Sequence, residues 1–397
     1  DLPALPPYHL AMPGLIVKPR SRIFHGHDWI YASEVKKTFG EPQAGDVISI
    51  KDFKDRPLGT AIYNPHSQIV ARRISRRKQD LDAEFFHRRL SQALALRESF
   101  GLNPRLCRLA WSESDGLPGL IVDRYEDCLV FQTTTYAMDQ RQELIREVLV
   151  DLFQPSSIIL RNDSPMRKAE GLEPEISVVH GQAPAPFQVT LHELSFEIDP
   201  ANGQKTGLYL DIIDAYPSVA RFAKGKKVLD VFCNQGGFGL ACARAGASSV
   251  TSVDISEDAT AATARNAELS GLQVETVTTN AFNFLRTHEE SYDLIILDPP
   301  SFTRNKKTLK DAMRGYKEIH LRALKMLNHD GILATFCCSH HASREIFLQS
   351  ITEAAVDARK TLRLLESHQQ RLDHPVIATL PETEYLKGFT FQLAPNR

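Results

Sequence analysis

Apolar runs alternate with helical patterns through the C-terminal half of the chain. The first run, 228–232, lacks the alternation of a half-exposed strand, which predicts a strand buried on both faces of a sheet. Further runs lie at 250–254, 274–279, 292–297 and 331–339. Helical patterns separate the first four runs, most clearly over 259–270. This alternation predicts an α/β unit with an open parallel sheet.

Each of the first four predicted strands ends in a polar residue. The polar ends are Asp230 to Asn234, then Asp254, Asn280 and Asp298. In an open parallel sheet, ligands bind at the carboxyl ends of the strands, where the connections diverge. We therefore expect these side chains to line one ligand site.

A glycine turn, Gly236-Gly237, follows Phe232 and Asn234 and precedes a predicted helix. Glycine allows close approach of a ligand to the backbone, although a plain helix start has the same appearance. The turn lacks the Gly-x-Gly-x-x-Gly pattern that holds dinucleotide phosphates. S-adenosylmethionine has no phosphate, so the pattern favours this cofactor and a methyltransferase. Asp254 has the spacing of a carboxylate that binds ribose hydroxyls.

The N-terminal region, from residue 15 to about residue 75, has shorter apolar runs. Strands are predicted at 15–17, 46–50, 58–63 and 68–72. Their close spacing is typical of a small β-barrel. The basic residues Arg72, Arg73 and Arg76 are candidate RNA phosphate contacts, with a solvated linker as the alternative. Nearby His25 and His27 lack a third ligand, so no metal site is predicted.

The central region combines amphipathic helices with short strands. Helices are predicted at 82–98 and 138–152, and strands at 120–123, 128–132 and 157–161. These patterns describe a β-rich unit for which the residues indicate no chemistry.

A polar stretch, 202–211, lies just before the first parallel strand and contains Lys205 and Tyr209. Loops in this position carry function disproportionately often, so we expect both side chains to close over the cofactor. An ordinary surface loop is the alternative.

The fourth predicted strand leads into the motif Asp298-Pro299-Pro300-Ser301-Phe302. Two prolines restrict the backbone, which would hold the Asp298 carboxylate against the edge of a planar base. Phe302 could stack on that base. Arg304 and Lys306 follow and could bind substrate phosphates, although a bland turn with a solvated basic loop is the alternative.

The fifth predicted strand ends in adjacent thiols, Cys337 and Cys338. Strand alternation directs them to opposite faces, so at most one enters a given pocket, and a structural role is the alternative for either. A thiolate can add to carbon 6 of cytosine and so make carbon 5 nucleophilic toward a sulfonium methyl group. Asp298, protonated where it meets the base ring nitrogen, would balance charge during this addition.

Composition limits the class of protein. The chain has 397 residues with 42% hydrophobic content, which suits two or three domains. A net charge of −2 indicates that any RNA-binding surface is local. The six cysteines form no C-x-x-C pair, and neither a signal peptide nor a membrane-spanning run is evident. These features favour a cytoplasmic protein with reduced thiols and no membrane partner.

Several motifs together resemble the bacterial 23S ribosomal RNA large-subunit methyltransferase I family. The motifs are His27-Asp28-Trp29-Ile30, Glu113 to Gly119, Lys205 to Asp211, Gly236-Gly237-Phe238, Asp298 to Phe302, Phe336-Cys337-Cys338-Ser339 and Asp373 to Ala378. The resemblance implies a PUA-like RNA-binding domain at 1–80, a central α+β (EEHEE) domain at 81–190, and a Rossmann-like methyltransferase domain at 191–397.

The resemblance also implies an activity. The family makes 5-methylcytosine in 23S rRNA with S-adenosylmethionine and releases S-adenosylhomocysteine. Cys338 corresponds to the nucleophile, as the middle residue of the family's Ser-Cys-Ser. The expected partner is 23S rRNA or a large-subunit precursor, and a homodimer remains open.

The chain departs from the family around the cofactor. Ile212-Ile213 replaces Gln-Arg, Cys233-Asn234-Gln235 replaces Ser-Tyr-Thr, and Asn280 replaces an Asp that meets the adenine. Two alternatives therefore stand beside cytosine methylation through Cys338. One is base N-methylation with Asp298-Pro299-Pro300 and no covalent step, and the other is a non-catalytic RNA-binding assembly factor.

Overall fold

The computed structural model describes residues 12–201, 203, 207–303 and 306–395, except for the side chain of Lys306. The chain divides into two compact units. The first falls within Asp1–Ala185, Pro200–Thr206 and Asp373–Thr383, and the second within Pro186–Asp199, Gly207–Leu372 and Glu384–Arg397.

The N-terminal part of the first unit is a sheet around a small apolar core. Its strands are β1 (Gly14–Val17), β2 (Trp29–Tyr31), β3 (Val35–Phe39), β4 (Val47–Lys51), β5 (Pro57–Tyr63) and β6 (Ile69–Ser75). The order is β2-β6-β5-β4-β1-β3, with β1 and β4 parallel and the other neighbours antiparallel. The four predicted strands are confirmed as β1, β4, β5 and β6. The short strands β2 and β3 were not predicted.

The rest of the first unit has a second sheet covered by helices. Its elements are α1 (Ala83–Ser99), β7 (Leu106–Trp111), β8 (Leu120–Tyr125), β9 (Cys128–Thr133), α2 (Tyr136–Asp139), α3 (Gln142–Phe153), β10 (Ser157–Asn162) and β11 (Glu175–Gly181). The order is β11-β10-β9-β8-β7. The predicted helix 82–98 and the three predicted strands are confirmed, whereas the helix predicted at 138–152 is divided into α2 and α3. Their apolar faces form one core with Cys107 inside it.

The second unit opens with the hairpin β12 (Phe187–Leu191) and β13 (Leu194–Ile198). Its remaining elements are α4 (Ala215–Ala220), β14 (Lys227–Val231), α5 (Gly237–Arg244), β15 (Ser249–Asp254), α6 (Glu257–Leu269), β16 (Glu275–Thr278), α7 (Ala281–Thr287), β17 (Tyr292–Leu297), α8 (Leu309–Met326), β18 (Leu327–Cys337), α9 (Arg344–Asp357), β19 (Thr361–Gln369) and β20 (Lys387–Ala394). The boundary predicted at 190/191 falls inside β12, whereas the division at residue 80 stays a prediction.

The main sheet of the second unit has the order β16-β15-β14-β17-β18-β20-β19. Strands β14 to β18 are parallel, as predicted. Two further strands that were not predicted extend this sheet, and β20 pairs antiparallel with both β18 and β19. An antiparallel strand brings its first residue to the edge where its parallel neighbour ends, and Lys387 is accordingly the register partner of Cys337.

Arg97 anchors part of the first unit through a buried ion pair. Its guanidinium is fully buried and donates to both carboxylate oxygens of Asp115, at 2.6 and 2.7 Å. It also donates to the carbonyl oxygen of Asp373, whose carboxylate accepts the Arg108 N–H. The segment Asp373–Thr383 is thereby fixed to a helix that lies far away in sequence.

Arg97→Met should lower the free energy of unfolding of the first unit by about 3–5 kcal/mol, because it leaves the buried Asp115 carboxylate unpaired. Urea unfolding monitored by circular dichroism measures this change. The matched control is Arg105→Met, which removes an exposed guanidinium from Glu126 and Asp127 and should have a much smaller effect, because solvent screens an exposed ion pair. Equal effects of the two substitutions would contradict the assignment.

Candidate active site

The candidate residues collect at the carboxyl edge of the main sheet of the second unit. The connection after β14 leads to β15 on one side, whereas β17 and β18 lie on the other. A ligand crevice forms where strand order reverses in this way. Asp254 ends β15, Asp298 follows β17 and Cys338 follows β18, so the three residues lie in a row along this edge.

The loop after β14 adopts an unusual backbone conformation. Phe232 and Asn234 have φ of 67° and 49°, in the left-handed region that costs a non-glycine residue free energy. The Phe232 N–H donates to the Val253 carbonyl oxygen at 2.8 Å, and the Asn234 N–H donates to Asp254 Oδ2 at 3.0 Å. These bonds to β15 hold the loop in shape. Such strain is characteristic of binding loops and has no signature in the sequence.

The two glycines of the turn are required by packing within the protein. Gly236 has φ of 85°, and a Cβ there would lie 2.7 Å from Thr263 Cγ2. A Cβ on Gly237 would lie 2.2 Å from Tyr216 Cζ, because the Tyr216 ring packs directly on the start of α5. The structure thus gives a reason for both glycines beyond the close ligand approach expected from sequence, and their contact with cofactor stays a prediction.

Asp230 is a buried carboxylate beneath this loop. Its side chain is 1% exposed, and Oδ2 accepts the Gly239 N–H at 2.9 Å. Among the described residues, Oδ1 has no hydrogen-bond partner. Burial raises the pKa of Asp230 to about 7, opposed by the Gly239 hydrogen bond. In this structure Asp230 therefore positions the first turn of α5 through its hydrogen bond with the Gly239 N–H.

Asp254 and Asn280 end adjacent strands. Each oxygen of Asp254 accepts one backbone N–H, from Asn234 or Ser256, and a carboxylate oxygen has a second lone pair for a hydroxyl. Asn280 is exposed and caps α7, with Oδ1 accepting the Asn283 N–H at 3.2 Å. Sequence reasoning missed Ile255, an apolar side chain that follows Asp254 and is 67% exposed. Hydroxyl acceptors beside an apolar face fit a nucleoside without phosphate.

Residues 207–211 lie near the same edge. Gln235 Nε2 donates to the Gly207 carbonyl oxygen at 3.1 Å, which ties this segment to the glycine loop. Burial, together with the negative charges of Asp298 and Cys338, raises the pKa of the Tyr209 hydroxyl to about 12. The structure therefore brings Tyr209 close to both predicted catalytic residues. Lys205 lies outside the described residues.

The family departures in this region have structural explanations. Ile212 and Ile213 are 5% and 1% exposed, so they pack in the interior. Cys233 is also buried, and burial raises the pKa of its thiol. Gln235, the third residue of Cys233-Asn234-Gln235, makes the contact to Gly207 described above. A packing or tethering role for such positions could not be inferred from motif comparison alone.

The Asp298 motif is held against the centre of the sheet. The Asp298 N–H donates to the Val231 carbonyl oxygen at 3.3 Å, Pro299 is buried and Pro300 is exposed. Phe302 is half-buried among aromatic rings, with its centroid 4.6 Å from Tyr316 and 5.8 Å from the partly exposed Phe282. Arg304 lies outside the described residues, and so does the side chain of Lys306.

The two adjacent cysteines lie in different environments, as strand alternation predicts. Cys337 is fully buried in the main core cluster, and burial raises the pKa of its thiol. Cys338 is half-buried, and its Sγ lies 4.0 Å from the Pro299 carbonyl oxygen. Of the two thiols, the one at 338 therefore adjoins the Asp298-Pro299 backbone.

The basic cluster of the first unit divides into paired and exposed residues. Arg72 lies between Glu113 at 3.2 Å and Glu170 at 2.8 Å, and Arg73 pairs with Asp28 at 2.6 Å. Both guanidinium groups thus have carboxylate partners within the first unit, and a phosphate-binding role for Arg72 and Arg73 stays a prediction.

Arg76, Arg77 and Lys78 are exposed, and within the described residues no carboxylate pairs with them. A phosphate-binding role for Arg76 stays a prediction. His27 is buried, with Nε2 3.1 Å from Glu382 Oε2. In the part of the chain that the structure describes, no group of His, Cys, Asp and Glu is arranged to hold a metal ion. No helix there has the length and apolar character to cross a membrane.

Comparison with known proteins agrees with this geometry. A family model of PUA-like domains matches residues 16–76, and one of S-adenosylmethionine-dependent methyltransferases matches residues 175–382. The ribosomal RNA large subunit methyltransferase I of Shewanella denitrificans is 38% identical over 373 residues, covering 91% of this chain and 94% of the relative. The enzyme of the same name from Erwinia tasmaniensis is 37% identical, covering 94% and 98%.

Solved structures show the same fold. A Streptococcus mutans structure classed as a SAM-dependent methyltransferase gives a TM-score of 0.82 at 22% identity, covering 96% of this chain and 99% of that one. A methyltransferase structure in complex with SAH gives the same TM-score and identity.

The fold, the carboxyl-edge site and the matched models define an S-adenosylmethionine-dependent methyltransferase that also carries a PUA-like domain. S-adenosylmethionine is its methyl donor, and S-adenosylhomocysteine is the product. With relatives at 37–38% identity over more than nine-tenths of its length, the chain belongs to the ribosomal RNA large subunit methyltransferase I family.

Asp230→Asn should flatten the pH dependence of stability. The folded-state pKa of about 7 exceeds the ordinary value of 3.8, so the folded state binds this proton more tightly than the unfolded state. The free energy of unfolding from this group is therefore greatest below about pH 4 and falls as pH rises to about 7, by about 4 kcal/mol at most. Asparagine cannot ionise and keeps an acceptor for the Gly239 N–H.

Urea unfolding across this pH range measures the effect, with Asp311→Asn, at an exposed position of α8, as the control. Parallel wild-type and Asp230→Asn profiles would contradict the raised pKa.

Proposed function

We propose that this protein methylates carbon 5 of a cytosine in large-subunit ribosomal RNA through a covalent adduct with Cys338. The observation that carries the proposal is the position of the Cys338 sulfur, 4.0 Å from the Pro299 carbonyl oxygen and at the strand end next to Asp298. Because Cys338 and Asp298 follow adjacent strands, the thiol and the carboxyl group can act on the same planar base, one as the nucleophile and the other as the acid. The substrate follows from the names of the relatives, which are ribosomal RNA large subunit methyltransferases.

The proposed reaction begins with the Cys338 thiolate. Its sulfur adds to carbon 6 of the cytosine, and the displaced π electrons make carbon 5 nucleophilic. Asp298 donates a proton to the ring nitrogen N3, so the ring does not accumulate negative charge. S-adenosylmethionine supplies an electrophilic methyl group to carbon 5. A base then removes the carbon-5 proton, the ring nitrogen returns its proton, and the carbon–sulfur bond breaks to release the Cys338 thiolate.

The remaining candidate residues have binding roles in this proposal. Asp254 binds the ribose hydroxyls, Asn280 meets the adenine by an amide hydrogen bond, and Ile255 covers the adenine face. Phe232, Asn234, Gly236 and Gly237 shape the loop around the donor, above Asp230. Lys205 and Tyr209 close over the donor from the preceding segment.

The RNA contacts form the second part of the proposal. Phe302 stacks on the target base, and Arg304 and Lys306 bind neighbouring phosphates. Arg76 belongs to the phosphate-contacting face of the PUA-like domain. We also propose that the PUA-like domain is divided from the central domain at residue 80 and that the protein forms a homodimer.

Cys338→Ala should abolish 5-methylcytosine formation, because no other group supplies the attack on carbon 6. Bisulfite sequencing of large-subunit rRNA from cells that lack the gene, complemented with wild type or variant, measures the modification. Cys337→Ser is the matched control, since Cys337 lies in the core and the family has Ser there; it should retain methylation. Methylation by Cys338→Ala would instead favour a non-covalent base methyltransferase.

The intermediate gives a separate readout of the same step. RNA with 5-fluorocytidine at the target has no proton on carbon 5, so elimination is blocked after methyl transfer. A denaturation-resistant protein–RNA complex should form with wild type and be absent with Cys338→Ala. Calorimetry with S-adenosylmethionine excludes loss of donor binding as the cause.

Replacing Arg76, Arg77 and Lys78 with alanine should weaken RNA binding with little dependence on sequence. Each lost phosphate contact should also reduce the slope of log affinity against log salt by about 0.7–0.9. Fluorescence anisotropy with structured RNA at several salt concentrations measures both quantities. Arg146→Ala, which removes a guanidinium paired with Glu143, is the control. An unchanged salt slope in the triple variant would assign RNA binding to another surface.

A further inference from the structure

Lys387 is a buried cation at the carboxyl edge of the main sheet. It begins β20, its side chain is 3% exposed, and it is the register partner of Cys337. Its Nζ donates to the Ser339 carbonyl oxygen at 2.6 Å and to the Ala342 carbonyl oxygen at 2.5 Å. These bonds fix the turn that directly follows Cys338.

This ammonium group has no close counter-ion. Within the described residues no carboxylate forms an ion pair with Lys387, and the nearby Glu384 instead lies 3.6 Å from Arg344. Burying an uncompensated charge costs several kcal/mol in ordinary surroundings, so a buried cation usually has an anionic partner or a function. Two of its three N–H donors bond to carbonyl oxygens, which leaves one donor.

The sulfur of Cys338 needs a nearby positive charge. The Pro299 carbonyl oxygen, 4.0 Å from Sγ, favours the protonated thiol over the thiolate. An ordinary thiol is only a few per cent ionised at neutral pH. The nearby Asp298 carboxylate, when ionised, opposes the thiolate further.

We infer that Lys387 is a positioning residue for Cys338, holding the turn after the nucleophile and stabilising the thiolate by its charge. This inference rests on the proposed function of Cys338. Lys387, the first residue of β20, thereby contributes to the site although it lies in none of the sequence motifs.

The other groups around the pair define the electrostatic setting. Burial lowers the pKa of Lys387, whereas the negative charges of Cys337, Glu384 and Cys338 raise it and Arg344 lowers it. Tyr209 and Tyr316 face the Cys338 charge from the 207–211 segment and from α8, and burial raises the pKa of both hydroxyls. Neither tyrosine is ionised near neutral pH. Arg344 is the other cation that acts on Lys387, and it pairs with Glu384.

The test is the pH dependence of Cys338 alkylation by iodoacetamide in the full-length protein without RNA. Fragment-ion mass spectrometry of the peptide that contains Cys337 and Cys338 assigns the alkylated thiol to one of these two adjacent positions. The variants are Lys387→Met, which removes the charge and the donors, Lys387→Gln, which keeps an amide donor, and Lys387→Arg, which keeps the charge. Lys317→Met, at a half-buried position of α8 where the lysine pairs with Glu353 and Asp357, makes the same change away from the site and serves as the control.

The wild-type midpoint should lie below the ordinary thiol value of about 8.5. It should rise by about one pH unit in both neutral variants, which is about a tenfold loss of thiolate near neutral pH, and stay lower in Lys387→Arg. A midpoint unchanged in folded Lys387→Met or Lys387→Gln would overturn the inference, because a merely structural role would change stability without moving the midpoint. If neither neutral variant folds, a wild-type midpoint at or above about 8.5 overturns it.

The result is independent of the proposed methylation chemistry, because alkylation needs neither RNA nor S-adenosylmethionine. A shifted midpoint together with full methylation by Cys338→Ala would leave the electrostatic link intact and reject the covalent mechanism. An unshifted midpoint together with an inactive Cys338→Ala variant would reject the electrostatic link and leave the covalent mechanism intact.

Discussion

The parallel pairing of β14 with β15 and β17 is the constraint on which the site depends. Parallel register brings the ends of these strands to one edge, where Asp254, Asp298 and the β14 loop lie together. The bonds from Phe232 and Asn234 to β15 and from Asp298 to β14 join the three strand ends directly. A slip of one residue would exchange the faces of every side chain in the slipped strand. The buried apolar residues on both faces of these strands prevent it.

The same edge also explains why adjacent cysteines differ. The last residue of β18 still obeys strand alternation and directs Cys337 into the core. The next residue has left the strand, so Cys338 faces the Asp298-Pro299 segment. Because β20 runs in the opposite direction, its first residue meets this turn from the other side. Two chain segments that are about fifty residues apart in sequence thus shape one reactive group.

Much of the fold, and the position of the candidate site at the carboxyl edge of the main sheet, could be predicted from sequence. Apolar runs that alternate with amphipathic helices predict a parallel sheet. The carboxyl ends of parallel strands lie at one edge of the sheet, so the polar residues at those ends lie close together. Side-chain partners could not be predicted, because they depend on packing between distant segments. Arg72 and Arg73 resemble free surface cations in sequence, yet the acidic partners Glu113 and Glu170 of Arg72 come from distant parts of the first unit. Similarly, the contact of Gly237 with Tyr216 is visible only in three dimensions.

The segment Asp373–Thr383 has a consequence for biosynthesis. Asp373 supplies acceptors to Arg97 and Arg108, and the Trp111 and His374 rings are in contact with centroids 5.2 Å apart. The first unit is therefore assembled from segments that lie more than two hundred residues apart in sequence. On a translating ribosome, its early strands emerge long before the residues that complete their hydrogen bonding. This unit reaches its final stability only after most of the second unit has been synthesised, so nascent chains must tolerate an incomplete first unit until then.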